Sequence, residues 1–192
     1  MTYLLLGLVI FLGTHSVRIV ANDWRAQRIE ELGEMTYKGV YSLLSALGLG
    51  LIVWGFGMAR DTPIPLWYVP TGMRHAASLL TLLAFVLLAA AYVPGNGIKA
   101  RVHHPMVLAV KTWALAHLLA NAMLAHLLLF GAFLVWAVFD FIASRRRDRL
   151  AEKQYPSGSA MRTGITLGIG AVAWFVFAFW GHGLLIGIRP FG

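Results

Sequence analysis

The chain contains no cysteine among its 192 residues. This absence excludes disulfides, thiolate metal sites and cysteine nucleophiles, and it leaves the seven histidines as the main candidate metal ligands. Charge is also scarce, because only 12% of the residues are Asp, Glu, Lys or Arg, against roughly 25% in a soluble domain. With 59% hydrophobic residues, the composition predicts an integral membrane protein.

Acidic residues are the scarcer of the two charged classes. The 16 Lys and Arg residues outnumber the 8 Asp and Glu residues, which gives a formal charge of +8. In a soluble protein this excess would suggest nucleic acid, but the sequence has no DNA- or RNA-binding motif. The basic residues instead lie in short loops between apolar runs, as expected for residues that orient helices in a membrane. We therefore expect a lipid bilayer as the main partner and no nucleic acid.

Six apolar segments predict an all-α, polytopic transmembrane helical bundle that forms a single domain over residues 1–192. A span of about 30 Å needs roughly 20 apolar residues. The apolar run from 105 to 143 is too long for one span, so we divide it near Asn121. The first segment has no basic leader and no small-residue cleavage site, so we expect a retained helix. The predicted helices cover about 2–22, 38–59, 75–93, 105–120, 123–143 and 163–183.

The distribution of Lys and Arg sets the expected orientation. Six helices place the loops 24–37, 94–104 and 144–162 on one side, and with Lys38 that side carries eleven basic residues. The opposite side carries Arg60, Arg74 and Arg189. Because basic loops face the cytoplasm, we expect both termini to lie outside.

Prolines and small residues give two further expectations. Pro63, Pro65 and Pro70 predict an ordered, extended segment within the outer loop 60–74. The pairs Gly164 with Gly168 and Ala46 with Gly50, each four residues apart, predict close helix contacts.

Two histidines lie deep within apolar segments. His15 is about 13 residues into the first helix, and His117 is about 12 residues into the fourth, which enters from the opposite side. At 1.5 Å per residue both imidazoles lie near mid-membrane. Because ionisable residues at this depth are costly, they mark functional sites by default. Two neutral imidazoles from different helices could therefore face one shared ligand.

Other polar residues form two zones. At the inner side, Arg18, Lys111 and His104 suit an anionic group such as a propionate or a phosphate. At the outer side, His75, His126 and His182 are secondary candidates. Simpler roles stay open for several of these residues, since His75, His103, His104 and His182 lie near interfaces, His126 suits a helix contact, and Arg18 can extend towards the surface.

Haem fits two buried imidazoles better than zinc does. Zinc sites favour four ligands with thiolate or carboxylate company, whereas haem needs two axial ligands, an apolar slot and cations for its propionates. Ala114 lies one turn before His117 and leaves room for a flat ring, and Asn121 lies on the same helical face.

Short motifs in order along nearly the whole chain resemble the NnrU family. They are Gly13-Thr14-His15-Ser16-Val17-Arg18, His104-Pro105, Ala116-His117-Leu118-Leu119-Ala120-Asn121, Leu129-Phe130-Gly131, Leu185-Ile186-Gly187 and Pro190-Phe191. The resemblance implies a multi-pass protein of the bacterial cytoplasmic membrane, linked to nitrite and nitric oxide metabolism in denitrification. The family is related to plant 15-cis-zeta-carotene isomerase.

That relationship implies haem b with His15 and His117 as the two iron ligands. The isomerase is thought to use a cysteine three residues before its second histidine as an alternative ligand. Ala114 occupies this position here, so a cysteine-based ligand switch is excluded. His182 is followed by Gly183, where the family has proline, which weakens the transfer of a role to this histidine.

Several functions stay open at this stage. The first is a haem protein with redox chemistry or a nitric oxide ligand. The second is a haem-dependent cis–trans isomerase acting on a polyene or another hydrophobic small molecule. A methyltransferase is suggested by the His104-Pro105 hairpin, although its expected Arg and Tyr neighbours are missing. Metal transport through His75, His117, His126 and His182, or a purely structural partner role, completes the set. The sequence does not decide whether the chain is an enzyme.

Overall fold

The computed structural model describes residues 1–191, and these residues form helices joined by short connections. We number the helices α1 to α8 in chain order. They are α1 Thr2–Val20, α2 Asn22–Leu32, α3 Glu34–Asp61, α4 Thr71–Tyr92, α5 Gly97–Val102, α6 Pro105–Ala120, α7 Leu124–Leu150 and α8 Ala160–Ile186, the last with a π-helical segment at Phe177–Gly181.

Five of these helices, α1, α3, α4, α7 and α8, are long and apolar enough to cross a membrane. The apolar helix α6 has only 16 residues. These six helices correspond to the six predicted segments, so the all-α membrane fold is confirmed. The count of six spans and the outward orientation of the termini stay predictions.

The distribution of side-chain sizes is inverted relative to a soluble protein. The buried positions are dominated by alanine, including Ala59, Ala84, Ala114 and Ala137. Large apolar side chains instead lie outside, with Val9 72% exposed and Leu43 71% exposed. A soluble protein rarely leaves so much contiguous apolar surface uncovered. Lipid therefore provides the apolar surroundings of the outer faces, and small residues allow the helices to approach one another closely.

The helices pack side by side in the order α3, α1, α7, α6, α4, α8. Helix α7 also contacts α3 and lies between α1 and α6, which do not pack directly on each other within residues 1–191. Helices α3 and α8, the first and last in this order, are linked at one end of the bundle, where Arg60 Nη1 donates a hydrogen bond of 3.0 Å to the carbonyl of Ile186.

Three glycines determine how closely α1 and α3 approach. A Cβ on Gly55 would lie 2.2 Å from Leu4 N, one on Gly48 would lie 2.7 Å from Phe11 N, and one on Gly7 would lie 2.6 Å from Ile52 N. Backbone therefore meets backbone at three levels of one antiparallel crossing.

The glycines that were predicted to make close helix contacts do not make them. Nothing lies within 4 Å of a Cβ built on Gly50, Gly164 or Gly168. In α8 it is Gly170 that meets a neighbour, because its Cβ would lie 2.6 Å from Val86 Cα on α4. Spacing of small residues identified helices that pack closely, but not which face of each helix does so.

Two connections differ in how well they were anticipated. The outer segment before α4 is extended as predicted, and Pro65 forms an isolated β-bridge with Met123 at the α6–α7 turn. The inner segment 24–37 was expected to be a loop, and this was wrong because α2 occupies most of it. Its charged residues are good helix formers, and Arg28 pairs with Glu31 one turn later at 2.6 Å.

Candidate functional site

His15 and His117 share one local arrangement. His15 Nδ1 lies 2.7 Å from the carbonyl oxygen of Phe11, and His117 Nδ1 lies 2.8 Å from that of Trp113. A carbonyl oxygen only accepts hydrogen bonds, so each Nδ1 carries the proton and donates it. In the neutral form of such a ring the lone pair lies on Nε2, and the preceding helical turn holds the orientation of the ring. This is the form in which histidine coordinates a metal.

A continuous set of ring contacts joins the two histidines, and we call it the aromatic series. His15 stacks on Phe11 with a centroid distance of 4.2 Å, and Phe11 lies 5.8 Å from Phe133. Phe133 lies 5.6 Å from Trp113, whose ring is 5.2 Å from that of His117. The structure therefore places both histidines in one aromatic interior, joined through three rings rather than in direct contact.

The series continues from His117 towards the outer side. Phe130 stacks on His117 at 4.4 Å with an interplanar angle of 27°. Phe130 also lies 6.1 Å from His126 at 29°, and His126 meets Phe56 edge-on at 5.1 Å. Imidazole and aromatic rings thus follow one another through α1, α7, α6 and α3.

Ala114 and Asn121 have structural contacts in this site. Ala114 is 0% exposed and belongs to the same buried cluster as Leu4 and Leu8 of α1. Asn121 Nδ2 donates a hydrogen bond of 2.8 Å to the carbonyl of His117, which satisfies one of the free carbonyl groups at the end of α6. Ala114 is one of three buried alanines of α6, and Asn121 supports the backbone of His117.

The inner zone is brought together only in part. His104 Nε2 lies 2.7 Å from Asp148 Oδ2, so this ring already has an acidic partner. His104 and Lys111 both contact Phe141, the first edge-on at 6.2 Å and the second with its ammonium 5.8 Å from the ring centroid. Arg18 is exposed, and its carbonyl accepts a hydrogen bond from Arg147. Neither Lys111 nor Arg18 has an acidic partner within residues 1–191.

Asp148 organises a network at the inner end of α7. Its Oδ2 accepts hydrogen bonds from Tyr155 Oη at 2.6 Å and from His104 Nε2. Tyr155 stacks almost parallel to His103 at 4.0 Å and 2°, and Arg145 donates to His103 Nδ1. These contacts hold His103 at a φ of 68°, a left-handed conformation that is uncommon for a residue with a side chain. Sequence reasoning missed Asp148 and Tyr155 because their partners are about 44 and 7 residues away.

The surroundings of this network shift two pKa values. Burial and the hydrogen bond to Asp148 raise the pKa of Tyr155 to about 12, so its hydroxyl stays protonated as a donor. Burial lowers the pKa of His104 below its usual value, although the nearby Asp148 carboxylate opposes this effect. The short contact alone would suggest an ion pair, but burial outweighs it, and we take His104 to be a neutral N–H donor at pH 7.

Stability should therefore depend on pH through His104. Its folded pKa is lower than its unfolded value near 6.5, so the unfolded chain binds more protons as the pH falls below that value. We expect the thermal midpoint of detergent-solubilised protein to be highest above about pH 6.5 and to fall towards pH 5. His104→Gln, which cannot titrate, should show a shallower fall over the same range. Parallel curves for the two proteins would contradict this assignment.

The three outer histidines do not form one site. His75 is exposed in the first turn of α4. His182 donates from Nδ1 to the carbonyl of Ile188 at 2.7 Å, while His126 packs on Phe56 and Phe130. Across residues 1–191 no group of three or more His, Asp or Glu side chains is arranged to hold a metal ion. The four-histidine transport site considered above therefore gains no support.

Two open cavities flank the aromatic series. An outer cavity of about 340 Å³ lies where the end of α3, the extended loop and the start of α7 meet, and Arg60 and His126 line it. A lateral groove of about 550 Å³ lies between α1 and α7 and is lined by Leu12, Ser16 and Trp136 among others. Trp136 meets His15 edge-on at 6.1 Å. The groove therefore reaches the immediate neighbourhood of one of the two buried histidines.

The sequence carried an unused signal for the aromatic series. Phe11 precedes His15 by four residues, and Trp113 precedes His117 by the same number. Because residues four apart face the same side of a helix, this spacing predicts an aromatic ring beside each histidine. The contacts between helices through Phe133 had no such local signal.

Comparison with known proteins gives one match. The family described as NnrU protein matches residues 3–190. No curated protein and no solved structure matches the chain. Because the match covers nearly all of a chain built as a multi-pass helical membrane protein, this chain belongs to the NnrU family.

Proposed function

We propose that this NnrU-family membrane protein binds haem b, with His15 and His117 as its iron ligands. The observation that carries the proposal is the matched state of the two imidazoles. Each ring donates Nδ1–H to the carbonyl four residues earlier, at 2.7 Å and 2.8 Å, which leaves Nε2 free to coordinate. Both rings belong to apolar helices and to one aromatic interior. Phe11, Phe133 and Trp113, which connect the two histidines, would have to make room for a macrocycle shared by both.

The remaining residues fit the group unequally. Lys111 and Arg18 lack an acidic partner within residues 1–191 and are the better partners for propionates. His104 is less suitable, because Asp148 already occupies its Nε2. The small side chain of Ala114 avoids crowding on the α6 interior, and Asn121 holds the end of the helix that bears His117. When bound, haem would supply a redox-active iron, and release of one of the two histidines would open a position for a ligand such as nitric oxide.

The physiological setting of the proposal comes from the family. Membership of the NnrU family favours a protein of the bacterial cytoplasmic membrane that takes part in nitrite and nitric oxide metabolism. In this proposal the two half-buried histidines lie within the bilayer, on apolar helices. Small apolar molecules concentrate in the hydrocarbon layer, so a site at this depth suits such a ligand.

A second candidate function is cis–trans isomerisation of a polyene, and the lateral groove is the observation that favours it. The groove of about 550 Å³ between α1 and α7 is lined mainly by apolar side chains. Lipid-facing helices form its walls, and Trp136 connects it to His15. A long hydrophobic molecule could enter from the bilayer and lie beside the buried histidine.

The absorption spectrum of detergent-purified protein tests the proposal. We expect a red preparation, or one that becomes red when haem is added, with sharp bands in the reduced state typical of two nitrogen ligands. Incubation of reduced protein with 15-cis polyenes should give trans product only if the second function also holds. A colourless protein that binds no added haem, while its circular dichroism shows intact helices, would overturn the haem proposal.

A further inference from the structure

We propose that the outer cavity is a binding site for the carboxylate of a small amphipathic acid, with Arg60 as its anchor. This site is separate from the two buried histidines assigned to haem. It lies at the opposite end of α7 from the Asp148 network, where α3 ends and α7 begins. Three features of the cavity support this role: the charge of Arg60, the chemistry of the walls and the rigidity of those walls.

Arg60 is a cation without an acidic partner. No carboxylate lies within salt-bridge distance of its guanidinium in residues 1–191, although Asp61 also lines the cavity. Among the same described residues, its only hydrogen bond runs from Nη1 to the carbonyl of Ile186, and its Nε is buried without a partner. Basic residues are also scarce on the predicted outer side. An unpaired guanidinium beside a cavity favours an oxyanion, and a planar carboxylate matches its donor geometry.

The position of this guanidinium is fixed from two sides. Arg60 lies over the ring of Phe56 at 5.3 Å, and the bond to Ile186 holds its Nη1. His126 packs edge-on against the same Phe56 ring, and His126 Nδ1 is buried without a protein partner. Phe56 therefore holds a cation and an imidazole at one wall of the cavity. A preorganised pair of this kind lowers the entropic cost of binding a ligand.

Apart from Asp61, the other walls are apolar, and they are held by backbone hydrogen bonds. Leu66 N donates to the carbonyl of Ala122 at 2.8 Å, and Leu124 N donates to that of Ile64 at 2.9 Å. These bonds join the extended loop to the α6–α7 turn. The apolar lining comes from Gly57, Ala59, Pro63, Ile64, Met123, Ala125 and Ile188. Besides Asp61 and His126, the cavity thus combines a cationic anchor with a largely apolar lining, which suits an acid with a short apolar tail better than an inorganic anion.

Gly57 provides a way to fill the cavity without touching Arg60. It lines the cavity, and nothing lies within 4 Å of a Cβ built on it. A larger side chain can therefore project into open space there without meeting backbone. Gly50 lies two turns earlier on the same helix, has equally open surroundings and does not line the cavity. The pair Gly57→Leu and Gly50→Leu changes the same residue type in the same helix.

Calorimetric titration of detergent-purified protein with hexanoate tests the site, with hexanol and inorganic phosphate as matched probes and empty micelles as the blank. We expect saturable binding of hexanoate only. Arg60→Gln should weaken it at least tenfold, Arg60→Lys should weaken it less, Gly57→Leu should abolish it, and Gly50→Leu should leave it unchanged. The haem spectrum of Gly57→Leu should match that of the unaltered protein, which separates this site from the proposed function.

Three results would overturn the proposal. The first is the absence of saturable hexanoate binding. The second is binding of hexanoate by the Arg60→Gln and Gly57→Leu variants as tightly as by the unaltered protein. Binding of phosphate in preference to hexanoate would show that the apolar walls take no part. Gly57→Leu leaves the hydrogen bond between Arg60 and Ile186 in place. Its result therefore stands even if Arg60→Gln disturbs the contact between α3 and α8.

Discussion

Gly55→Val is expected to prevent assembly of the folded protein. The Cβ of any larger residue would lie 2.2 Å from Leu4 N, 2.6 Å from Tyr3 C and 2.8 Å from Leu4 Cα. All three atoms belong to backbone, so no side-chain rotation relieves the overlap, and α1 would have to move away from α3. Overpacking of a core costs 1–3 kcal/mol and sometimes more, and we expect roughly 3 kcal/mol or more here.

The measurement is the yield of monodisperse protein after solubilisation, together with its thermal midpoint. Gly50→Val is the matched control, since the two positions share a helix and Gly50 has open surroundings. This control should keep a yield and midpoint close to those of the unaltered chain. Similar behaviour of the two variants would contradict the backbone contact between α1 and α3.

Loss of either His15 or His117 should weaken haem binding, and loss of both should abolish it. His15→Ala and His117→Ala each delete one Nε2 donor while the other ring keeps its hydrogen bond to the preceding turn. We expect each single variant to bind haem at least tenfold more weakly, about 1.4 kcal/mol, with a spectrum typical of one axial nitrogen. The double variant should be colourless. Free imidazole should restore the spectrum of a single variant by taking the vacated position.

His75→Ala is the control for these replacements, because His75 is exposed at the first turn of α4. Its haem content and spectrum should not change. If both single variants kept the spectrum of the unaltered protein, His15 and His117 would not be the ligands, even if the protein itself were red. Circular dichroism of each variant separates loss of the ligand from loss of the fold.

Hydrophobicity determined most of what could be anticipated about the fold. The segment 105–120 matches α6 at both ends, because Pro105 begins the helix and Asn121 caps it, and both signals are local. The ends of α3 and α7 were less well placed, since Glu34–Asp61 and Leu124–Leu150 extend beyond their apolar parts. Polar helical turns continue into the interface there, where hydropathy no longer distinguishes helix from loop.

The arrangement around the two histidines could be anticipated from the sequence only where a signal lay within one helix. The depth of His15 and His117 follows from counting residues, and the aromatic ring four residues before each follows from helical periodicity. The link through Phe133 and the pairing of Asp148 with His104 depend on how α7 packs against its neighbours. A single sequence contains no signal for such contacts between helices, because any of several aromatic or acidic residues could have made them.

The shortness of α6 has a consequence for the bilayer itself. Sixteen residues rise about 24 Å, roughly 6 Å less than the usual hydrocarbon thickness. If α6 spans the bilayer as predicted, the turn that follows lies below the lipid headgroups, or the leaflet becomes thinner around it. Such thinning costs only fractions of a kcal/mol per ångström of mismatch. The paired amides and carbonyls of residues 64–66 and 122–124 meet the requirement that backbone at such depth be satisfied internally. A dimple in the outer leaflet at this turn would bring water down towards His126.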